Sequence, residues 1–454
     1  MPTAKTMDSL PFLAVGERLD RLPVIARHWK IFWLLAAGLY IDSTEVFMGG
    51  GVMAALLREG WSTLQLNAHF QFFTFMGLSI GAFGTGFLSD HYGRRFAFTF
   101  NLLLFGFASF AAAAAPSMTL LIFFRFVMGI GLGAEIVVTY ATLIEFVPAR
   151  HRGRFISLFV IFGALTLFSG NLFAYLIIPA LGWRPCFLFI GVASLIVWYA
   201  RRVMPESPRW LAAVGRFEEA ERTVRQIEGE HYKPCAPVSA GLETAKQSVP
   251  FSVLFRKGML SRTLATASIS IAFNIAVYSF TNWLPSFFVK QGMGISFSLG
   301  ITTFMTVGAP VGAIVALALA DRIGRKPLII GGLILGGIFG VLYPTARSTE
   351  MAVFYGFMIN GFIYYLVAVG GAGYAAEVFP TEYRHRGTGF VGMTSRVAAG
   401  LCPYAVVPLY AWHGITAVVG MVAAIFFIVP IFVWFWCVEP KGLSLETVGG
   451  KKDT

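Results

Sequence analysis

Long apolar segments are the feature of this sequence that most constrains its fold. About twelve of them approach the roughly 20 residues that a helix needs to cross a bilayer. They cover approximately 31–57, 68–88, 96–115, 118–141, 155–179, 184–203, 263–288, 297–319, 327–345, 350–376, 389–410 and 414–437. Only 13% of the residues are charged, about half the share in soluble domains. Because backbone groups inside a bilayer must bond within their own segment, the sequence predicts an all-α membrane protein with twelve transmembrane helices.

Basic residues follow every second predicted span. They lie after spans 2, 4, 8 and 10, at Arg94, Arg95, Arg150, Arg152, Arg154, Arg322, Arg325, Lys326, Arg384 and Arg386. Loops rich in Lys and Arg stay in the cytoplasm, so this side is predicted to be cytoplasmic, and twelve spans place both termini there. We expect a multi-pass protein of the cytoplasmic (inner) membrane. The net charge of +12 is spread over separate short loops, which argues against a nucleic-acid partner.

Two loop motifs occur twice in the chain. GFLSDHYGRR after span 2 corresponds to ALADRIGRKP after span 8, and EFVPARHRGR after span 4 corresponds to EVFPTEYRHRG after span 10. Asp90 and Asp321 lie 231 residues apart, and Glu145 and Glu377 lie 232 apart. One nearly constant offset for two motifs predicts two six-helix bundles in parallel repeat. The predicted boundaries are 1–203 for the first bundle, 204–262 for a cytoplasmic linker and 263–454 for the second bundle with a short tail.

These motifs, with PESPRWL and the closing EPKGLSLE, resemble the major facilitator superfamily over essentially the whole chain. The likeness is to its sugar-porter and metabolite–proton symporter branches. The resemblance implies two pseudo-symmetric six-helix bundles with a substrate site between them near the midplane. It also implies a secondary active transporter. The sequence contains no nucleotide-binding loop or catalytic triad signature, so we do not expect an enzyme, and we expect no cofactor and no metal. The residues at the family's cytoplasmic gate positions, which hold the bundles together in one state, are Asp90, Arg94, Glu145, Arg152, Glu206, Asp321, Arg325, Glu377 and Arg384.

Charged residues inside the predicted spans indicate function, because each costs about 2.5–3.5 kcal/mol at the bilayer centre. Asp42 and Glu45 lie three apart on one face of span 1, about 17 and 21 Å along it. Span 4 carries Arg125 and, near the midplane, Glu135. These depths allow Asp42 or Glu45 to approach Arg125. Similarity to proton-coupled sugar porters implies an Asp42–Arg125 pair that couples transport to protons. Glu45 and Glu135 are further candidates for proton coupling, and the alternative is a permanent ion pair that locks two helices.

Arg396 lies about 13 Å into span 11, and no acidic residue occurs in that span. Its segment, SRVAAGLCP, is similar to the R-V-G-x-x-x-x-P segment of organic-anion and metabolite–proton members, with Ala398 in place of the glycine. In those members the arginine contacts anionic substrates. The alternative is an ion pair with a carboxylate of another helix, and Glu135 is one candidate.

The glutamines that sugar porters use for hydroxyl-rich substrates are absent, since Ser268, Ile269 and Val160 stand at their places. We therefore expect a proton symporter of a small organic anion, such as an aromatic carboxylate. The alternatives are a sugar or polyol proton symporter and a non-transporting receptor. The expected partners are substrate, protons and the bilayer, and we expect a monomer. Further candidate pocket residues are Tyr40, Gln71, Asn171, Asn274, Tyr278, Asn282, Trp283, Tyr364 and Tyr365.

Overall fold

The computed structural model describes residues 10–229, 251–256, 259–379 and 384–439, and nearly all of these are helical. The first six spans are continuous helices. Their bounds are Ala26–Arg58, Leu64–Tyr92, Arg94–Ala113, Met118–Phe146, Arg152–Leu181 and Arg184–Arg201. Each is long and apolar enough to cross a membrane.

Spans 7 to 10 are interrupted. Span 7 runs through Leu260–Ala276, a π-helical turn at Val277–Thr281 and Leu284–Lys290. Span 8 consists of Ile295–Thr306 and Gly308–Ile323, and span 9 of Arg325–Leu342 and Tyr343–Thr345. Span 10 runs through Thr349–Leu366, a π-helix at Val367–Tyr374 and Ala375–Val378. π-Helical turns are rare and frequently lie at functional sites, which makes spans 7 and 10 candidates for such a site.

The last two spans form one helical stretch, Arg384–Trp436, with a break inside it. A straight helix of these 53 residues would be about 80 Å long, far more than the roughly 30 Å of a bilayer core. The break lies at His413 and Gly414, where the glycine has φ 63° and ψ −151°. A positive φ is accessible to glycine without a steric penalty. The stretch is therefore two spans, which confirms the predicted fold of twelve transmembrane helices.

Three short helices pack together at one end of the bundle, which we call the linker side. They are Leu10–Arg21, Pro208–Ala213 and Phe217–Glu228. Arg18 of the first forms an ion pair with Glu228 of the third at 2.6 Å. The amino-terminal helix is thus attached to the segment that follows span 6.

The repeated motifs adopt the same structure in both parts of the chain. On the linker side, Arg94 and Glu145 form an ion pair at 3.0 Å, and Arg325 and Glu377 form the equivalent pair at 3.0 Å. Each pair joins the start of one span to the end of another within the same set of six. The 231- and 232-residue offsets in the sequence therefore correspond to equivalent contacts in three dimensions.

A glycine and a carboxylate complete each copy of the motif. Gly93 and Gly324 have φ of 95° and 109°, values that let the chain turn sharply into the next span. Glu206 accepts hydrogen bonds from the first two backbone N–H groups of span 3. Glu439 accepts the same two bonds at the start of span 9. Each carboxylate therefore satisfies backbone donors that a helix leaves unpaired at its beginning.

The first and last six spans meet at the end away from the linker, which we call the far side. The Gln71 side chain donates to the Tyr278 carbonyl at 3.1 Å and accepts from the Trp283 indole at 2.8 Å. A ring nitrogen of His69 lies 2.8 Å from the Tyr404 hydroxyl. These three hydrogen bonds join the two sets of spans, so the far side is closed in this structure.

Candidate functional site

Glu45, and not Asp42, contacts Arg125. The two side chains form an ion pair between spans 1 and 4, with 0% and 2% of the residues exposed. Arg125 also donates to the Thr74 hydroxyl at 3.2 Å and lies over the Phe70 ring, 4.5 Å from its centroid. The expected Asp42–Arg125 pair is not formed.

The reason lies in the direction of each side chain around the helix. Three residues correspond to about 300° of rotation, so Asp42 and Glu45 point about 60° apart and toward different neighbours. Asp42 interacts electrostatically with Glu135 of span 4 and Arg201 of span 6. Glu135 and Arg201 form an ion pair at 2.5 Å, and each is 1% exposed. A Cβ at Gly38, one turn before Asp42, would collide with the Arg201 guanidinium.

Arg201 is a functional candidate that the sequence analysis missed. Its guanidinium donates to the carbonyls of Leu34 and Leu35 at 2.9 and 3.1 Å and lies 5.4 Å from the Phe98 ring centroid. It therefore joins span 6 to the backbone of span 1 while it pairs with Glu135. In the sequence it is followed by Arg202, and such a basic pair at the end of a span indicates topology. The signal that points to it is the need of a buried Glu135 for a counter-charge.

Arg396 lies between the two sets of spans and is partly exposed. Within the part of the chain that the structure describes, it forms neither an ion pair nor a hydrogen bond. The Tyr140 and Tyr278 side chains are close enough to interact with it electrostatically. Because Glu135 is paired with Arg201, it is not the counter-charge of Arg396. A guanidinium with five donors and no anionic partner thus faces two phenol groups, one from each set of spans.

Tyr278 covers this site on the far side. It belongs to the π-helical turn of span 7 and lies between two rings of the first six spans. Phe47 stacks on it at 6.2 Å and 11°, and Phe75 meets it edge-on at 4.5 Å and 74°. Its carbonyl also accepts the hydrogen bond from Gln71. Gln71 and Trp283, candidates for substrate contact, are therefore engaged in the contact between the two sets of spans.

Two of the candidate asparagines are bonded within their own helices. Asn171 donates to the Leu167 carbonyl at 2.8 Å, and Asn274 donates to the Ser270 carbonyl at 2.9 Å. The side-chain oxygen of Asn282 is buried and has no hydrogen-bond partner in the described parts of the chain. Asn282 and Arg125 line a narrow cleft of about 10 Å³ on the far side. Asn282 is thus the asparagine with an acceptor left to bind a ligand or a water.

The candidate tyrosines differ in exposure. Tyr40 is partly exposed on span 1, whereas Tyr364 and Tyr365 are 5% and 8% exposed. Tyr365 packs closely over Gly332, where an added Cβ would lie 2.8 Å from its ring. The position of Tyr365 is thus fixed by packing between spans 9 and 10.

The predicted gate residues lie at the linker side, and the contacts that the structure describes for them are within one set of six spans. Arg94 bonds both Asp90 and Glu145, and Arg152 bonds Asp20 of the amino-terminal helix at 3.0 Å. The side chains of Asp321 and Arg384 lie outside the description of the structure.

Two carboxyl groups outside the spans have shifted pKa values. Burial raises the pKa of the Glu206 carboxyl, although backbone N–H groups donate to it. Burial also raises the pKa of Glu221, but hydrogen bonds from Arg225 and Arg18 outweigh this effect, and its pKa is lowered. Both carboxylates therefore contribute to the pH dependence of the linker side.

The chain matches the sugar (and other) transporter family over residues 46–450. It is 35% identical over 443 residues to the inner membrane metabolite transport protein YdjE of Escherichia coli (strain K12), with 96% of this chain and 98% of YdjE covered. It is 28% identical over 439 residues to the niacin transporter NiaP of Acinetobacter baylyi, with 95% and 99% covered.

The inward open structure of the xylose transporter XylE from E. coli superimposes with a TM-score of 0.70. It covers 93% of this chain and 99% of XylE at 18% identity, and this likeness shows the fold alone. The family match and the twelve-span structure agree with the interpretation of the repeated motifs. This chain therefore belongs to the sugar (and other) transporter family of the major facilitator superfamily, and it is a multi-pass membrane transporter and not an enzyme.

Proposed function

We propose that this transporter moves a small organic anion together with protons across the cytoplasmic membrane by alternating access. The observation that carries the proposal is Arg396, a guanidinium between the two sets of spans for which the described residues supply no anion. The cost of placing such a charge in a membrane is offset when an anion neutralises it. The substrate is the group that is free to supply this anion.

The chemistry of Arg396 favours a carboxylate as the ligand. The planar guanidinium presents paired N–H donors that match the two oxygens of a carboxylate, and such pairs are stronger than neutral hydrogen bonds. The hydroxyl groups of Tyr140 and Tyr278 are further donors for the remaining lone pairs of the substrate carboxylate. The phenyl groups of Phe47 and Phe75 beside Tyr278 add apolar surface for the body of the substrate.

The similarity to the niacin transporter of A. baylyi supports this substrate class. Niacin is an aromatic carboxylic acid, so it combines an anion for Arg396 with a ring for the aromatic wall. The metabolite transporter of E. coli has a still higher identity, and its name does not specify a metabolite. We therefore use nicotinate as the first probe.

The contacts between the two sets of spans support alternating access. We propose that 1–203 and 263–454 move as two bundles joined by 204–262, with both termini in the cytoplasm. To open outward, the transporter must break the far-side hydrogen bonds of Gln71 and His69. We propose that Glu145, Glu206 and Glu377, whose contacts in this structure lie within one set of spans, form contacts between the two bundles on the linker side in that state.

The alternative is a sugar or polyol proton symporter, which the family's description favours. Such a substrate has no charge and would leave Arg396 without a counter-ion. The amide groups of Asn171 and Asn274, which a hydroxyl-rich substrate would need, already donate to their own helices. The same experiment separates the two functions.

Purified full-length protein is screened by thermal shift with nicotinate, nicotinamide, xylose and arabinose, since a bound ligand raises the melting temperature by mass action. Nicotinate uptake into proteoliposomes is then measured with and without an inward proton gradient. Stabilisation by the acid but not the amide, with gradient-driven uptake, supports the proposal. Stabilisation by a sugar and not by the acid establishes the alternative.

A further inference from the structure

The buried charges of the first six spans do not balance. Within the described residues of these spans, five Asp, Glu, Arg and Lys side chains are buried. Three are acids, Asp42, Glu45 and Glu135, and two are bases, Arg125 and Arg201. If every group were ionised, the interior of this bundle would carry one uncompensated negative charge. An uncompensated buried charge is among the most costly features in a protein, and a group so placed takes up a proton instead.

The geometry shows where the surplus charge lies. Glu45 and Arg125 form a pair of one acid and one base, which is neutral without any proton. The other three groups form a cluster between spans 1, 4 and 6, in which Glu135 contacts Arg201, both lie against Gly38 one turn before Asp42, and Asp42 interacts electrostatically with both. This cluster holds two acids and one base. The surplus carboxyl is therefore in the cluster, and not in the Glu45–Arg125 pair.

We propose that Asp42 and Glu135 share one proton beside the single guanidinium of Arg201, so that this three-residue cluster is the proton-carrying unit of the transporter. Arg201 acts as a positioning residue that holds one negative charge in the cluster, and Glu45–Arg125 is an ion pair that stays charged. This inference rests on the proton coupling in the proposed function and assigns it to a site. In the expected Asp42–Arg125 arrangement the base comes from span 4. In this cluster the base is Arg201 of span 6, and Glu135 is a second acid.

Unsatisfied polar atoms in the cluster support the proposal. Asp42 Oδ1, Glu135 Oε2 and Arg201 Nη1 are buried and have no hydrogen-bond partner among the described residues, and the same holds for both Glu45 oxygens and Arg125 Nη1, so the charge balance is what separates the cluster from the pair. Two ionised carboxylates cannot bond each other, because both only accept. One added proton converts an acceptor into a donor and lets one carboxyl group bond the other. Two carboxylates that share a site commonly hold one proton in this way.

Among the residues that the structure describes, the surroundings of the cluster supply no other charge. Glu135 and Arg201 are the two charged groups that interact with Asp42. Thr139 donates a hydrogen bond to Glu135 at 2.9 Å, and the neutral ring of Phe98 lies beside Arg201. The charge state of the cluster is therefore set by its own three members.

The cluster is also placed to respond to movement of span 1. Glu135 and Arg201 hold each other on spans 4 and 6, whereas Asp42 belongs to a span that touches the second bundle. A Cβ at Gly50 of span 1 would lie 2.7 Å from the Asn282 carbonyl of span 7, so the two backbones are in close contact. Arg201 is hydrogen-bonded to the Leu34 and Leu35 carbonyls of span 1, so a shift of span 1 when the far side opens changes the distance between Asp42 and Glu135 of span 4. The shared proton is then released or taken up.

The proton is detected directly in purified full-length protein by infrared spectroscopy, through the carbonyl stretching band of a protonated carboxylic acid at neutral pH. Asp42→Asn leaves one acid and one base in the cluster, and so does Glu135→Gln. Each substitution is therefore expected to abolish the same band. The control is the double substitution Glu45→Gln with Arg125→Met, which removes a balanced pair and should retain the band.

Isotope labelling of the wild type gives the same information without a substitution that endangers folding. With carbonyl-labelled aspartate or carbonyl-labelled glutamate, a shared proton shifts part of the band in each sample. A shift with only one amino acid assigns the proton to that residue alone and overturns the sharing. Absence of the band in the wild type, or its loss in the control variant alone, overturns the proposal altogether.

Transport separates this inference from the proposed function. In proteoliposomes, Asp42→Asn and Glu135→Gln should both lose gradient-driven accumulation of nicotinate and retain nicotinate counterflow. If the wild type does not move nicotinate, the proposed substrate is wrong, and the infrared result still decides where the proton is held. If the wild type accumulates nicotinate and Glu135→Gln does so equally, the shared proton is refuted.

Discussion

Replacement of Arg396 by alanine tests the proposed anion site most directly. The substitution leaves the substrate carboxylate between Tyr140 and Tyr278 without a counter-charge. Removal of one partner of a buried ion pair costs about 3–5 kcal/mol, which corresponds to about 100- to 4,000-fold weaker binding at 1.4 kcal/mol per tenfold. Arg396→Lys retains the charge but loses the planar two-point contact. A lost hydrogen bond to a charged group costs about 1.5–3 kcal/mol, so binding should weaken about 10–100-fold.

The assay compares an acid with its amide. Dissociation constants for nicotinate and nicotinamide are measured on the same preparations by isothermal titration calorimetry. The amide lacks the negative charge, so Arg396→Ala should weaken its binding far less than that of the acid. The control is Arg386→Ala, ten residues earlier in the same helix and exposed. A surface substitution of this kind changes free energies by about 0.5 kcal/mol or less, so both affinities should stay the same within about twofold.

Melting of the ligand-free protein distinguishes binding from structure. If Arg396 has no anionic partner in the protein, its removal relieves a desolvated charge, and the melting temperature should stay the same or rise. A clear fall in melting temperature, together with equal losses for acid and amide, would show that Arg396 is a structural ion pair. Unchanged affinity for the acid in Arg396→Ala would refute the anion site.

Three further predictions concern other parts of the molecule. Gly38→Ala places a Cβ against the Arg201 guanidinium and Glu135, and should destabilise the protein by about 3–5 kcal/mol because it breaks the Glu135–Arg201 ion pair. The control is Gly163→Ala, where the added Cβ meets nothing within 4 Å, and it should not lower the melting temperature. Gln71→Leu removes two far-side hydrogen bonds of about 1 kcal/mol each, so the far side should open more often. Thiol labelling of the buried Cys402, in a background without the other cysteines, should then become several-fold faster. An unchanged labelling rate would show that Gln71 does not hold the far side closed. The pKa of Glu206 is higher in the folded than in the unfolded protein, so the free energy of unfolding should fall as pH rises from about 4.5 through the raised pKa. Glu206→Gln should therefore flatten the dependence of the melting temperature on pH in that range. An identical pH profile in the variant would contradict this.

The sequence by itself determined the architecture. The length of each apolar segment gives the number of spans, because a helix forms its backbone hydrogen bonds within its own segment and can therefore cross a bilayer. The break at Gly414 corresponds to the short gap between the last two predicted spans, and the 231- and 232-residue offsets correspond to the paired networks of Arg94–Glu145 and Arg325–Glu377. Such features are local in sequence or repeat within it, so they can be recognised without knowledge of the packing.

Only the tertiary structure decided which buried charges meet. Helical rise gives the depth of Asp42, Glu45 and Arg125 in the membrane, but depth does not give the direction in which a side chain points around its helix. That direction depends on how spans 1, 4 and 6 pack. In the packed structure Glu45 contacts Arg125, and Asp42 points toward the Glu135–Arg201 pair. The sequence analysis missed Arg201 for the same reason. A basic residue at the end of a span is typical of one that marks the cytoplasmic side of the membrane, so its contact with Glu135 could not be recognised from its position. Pairing is a property of three helices together, and a pattern along one chain does not contain it.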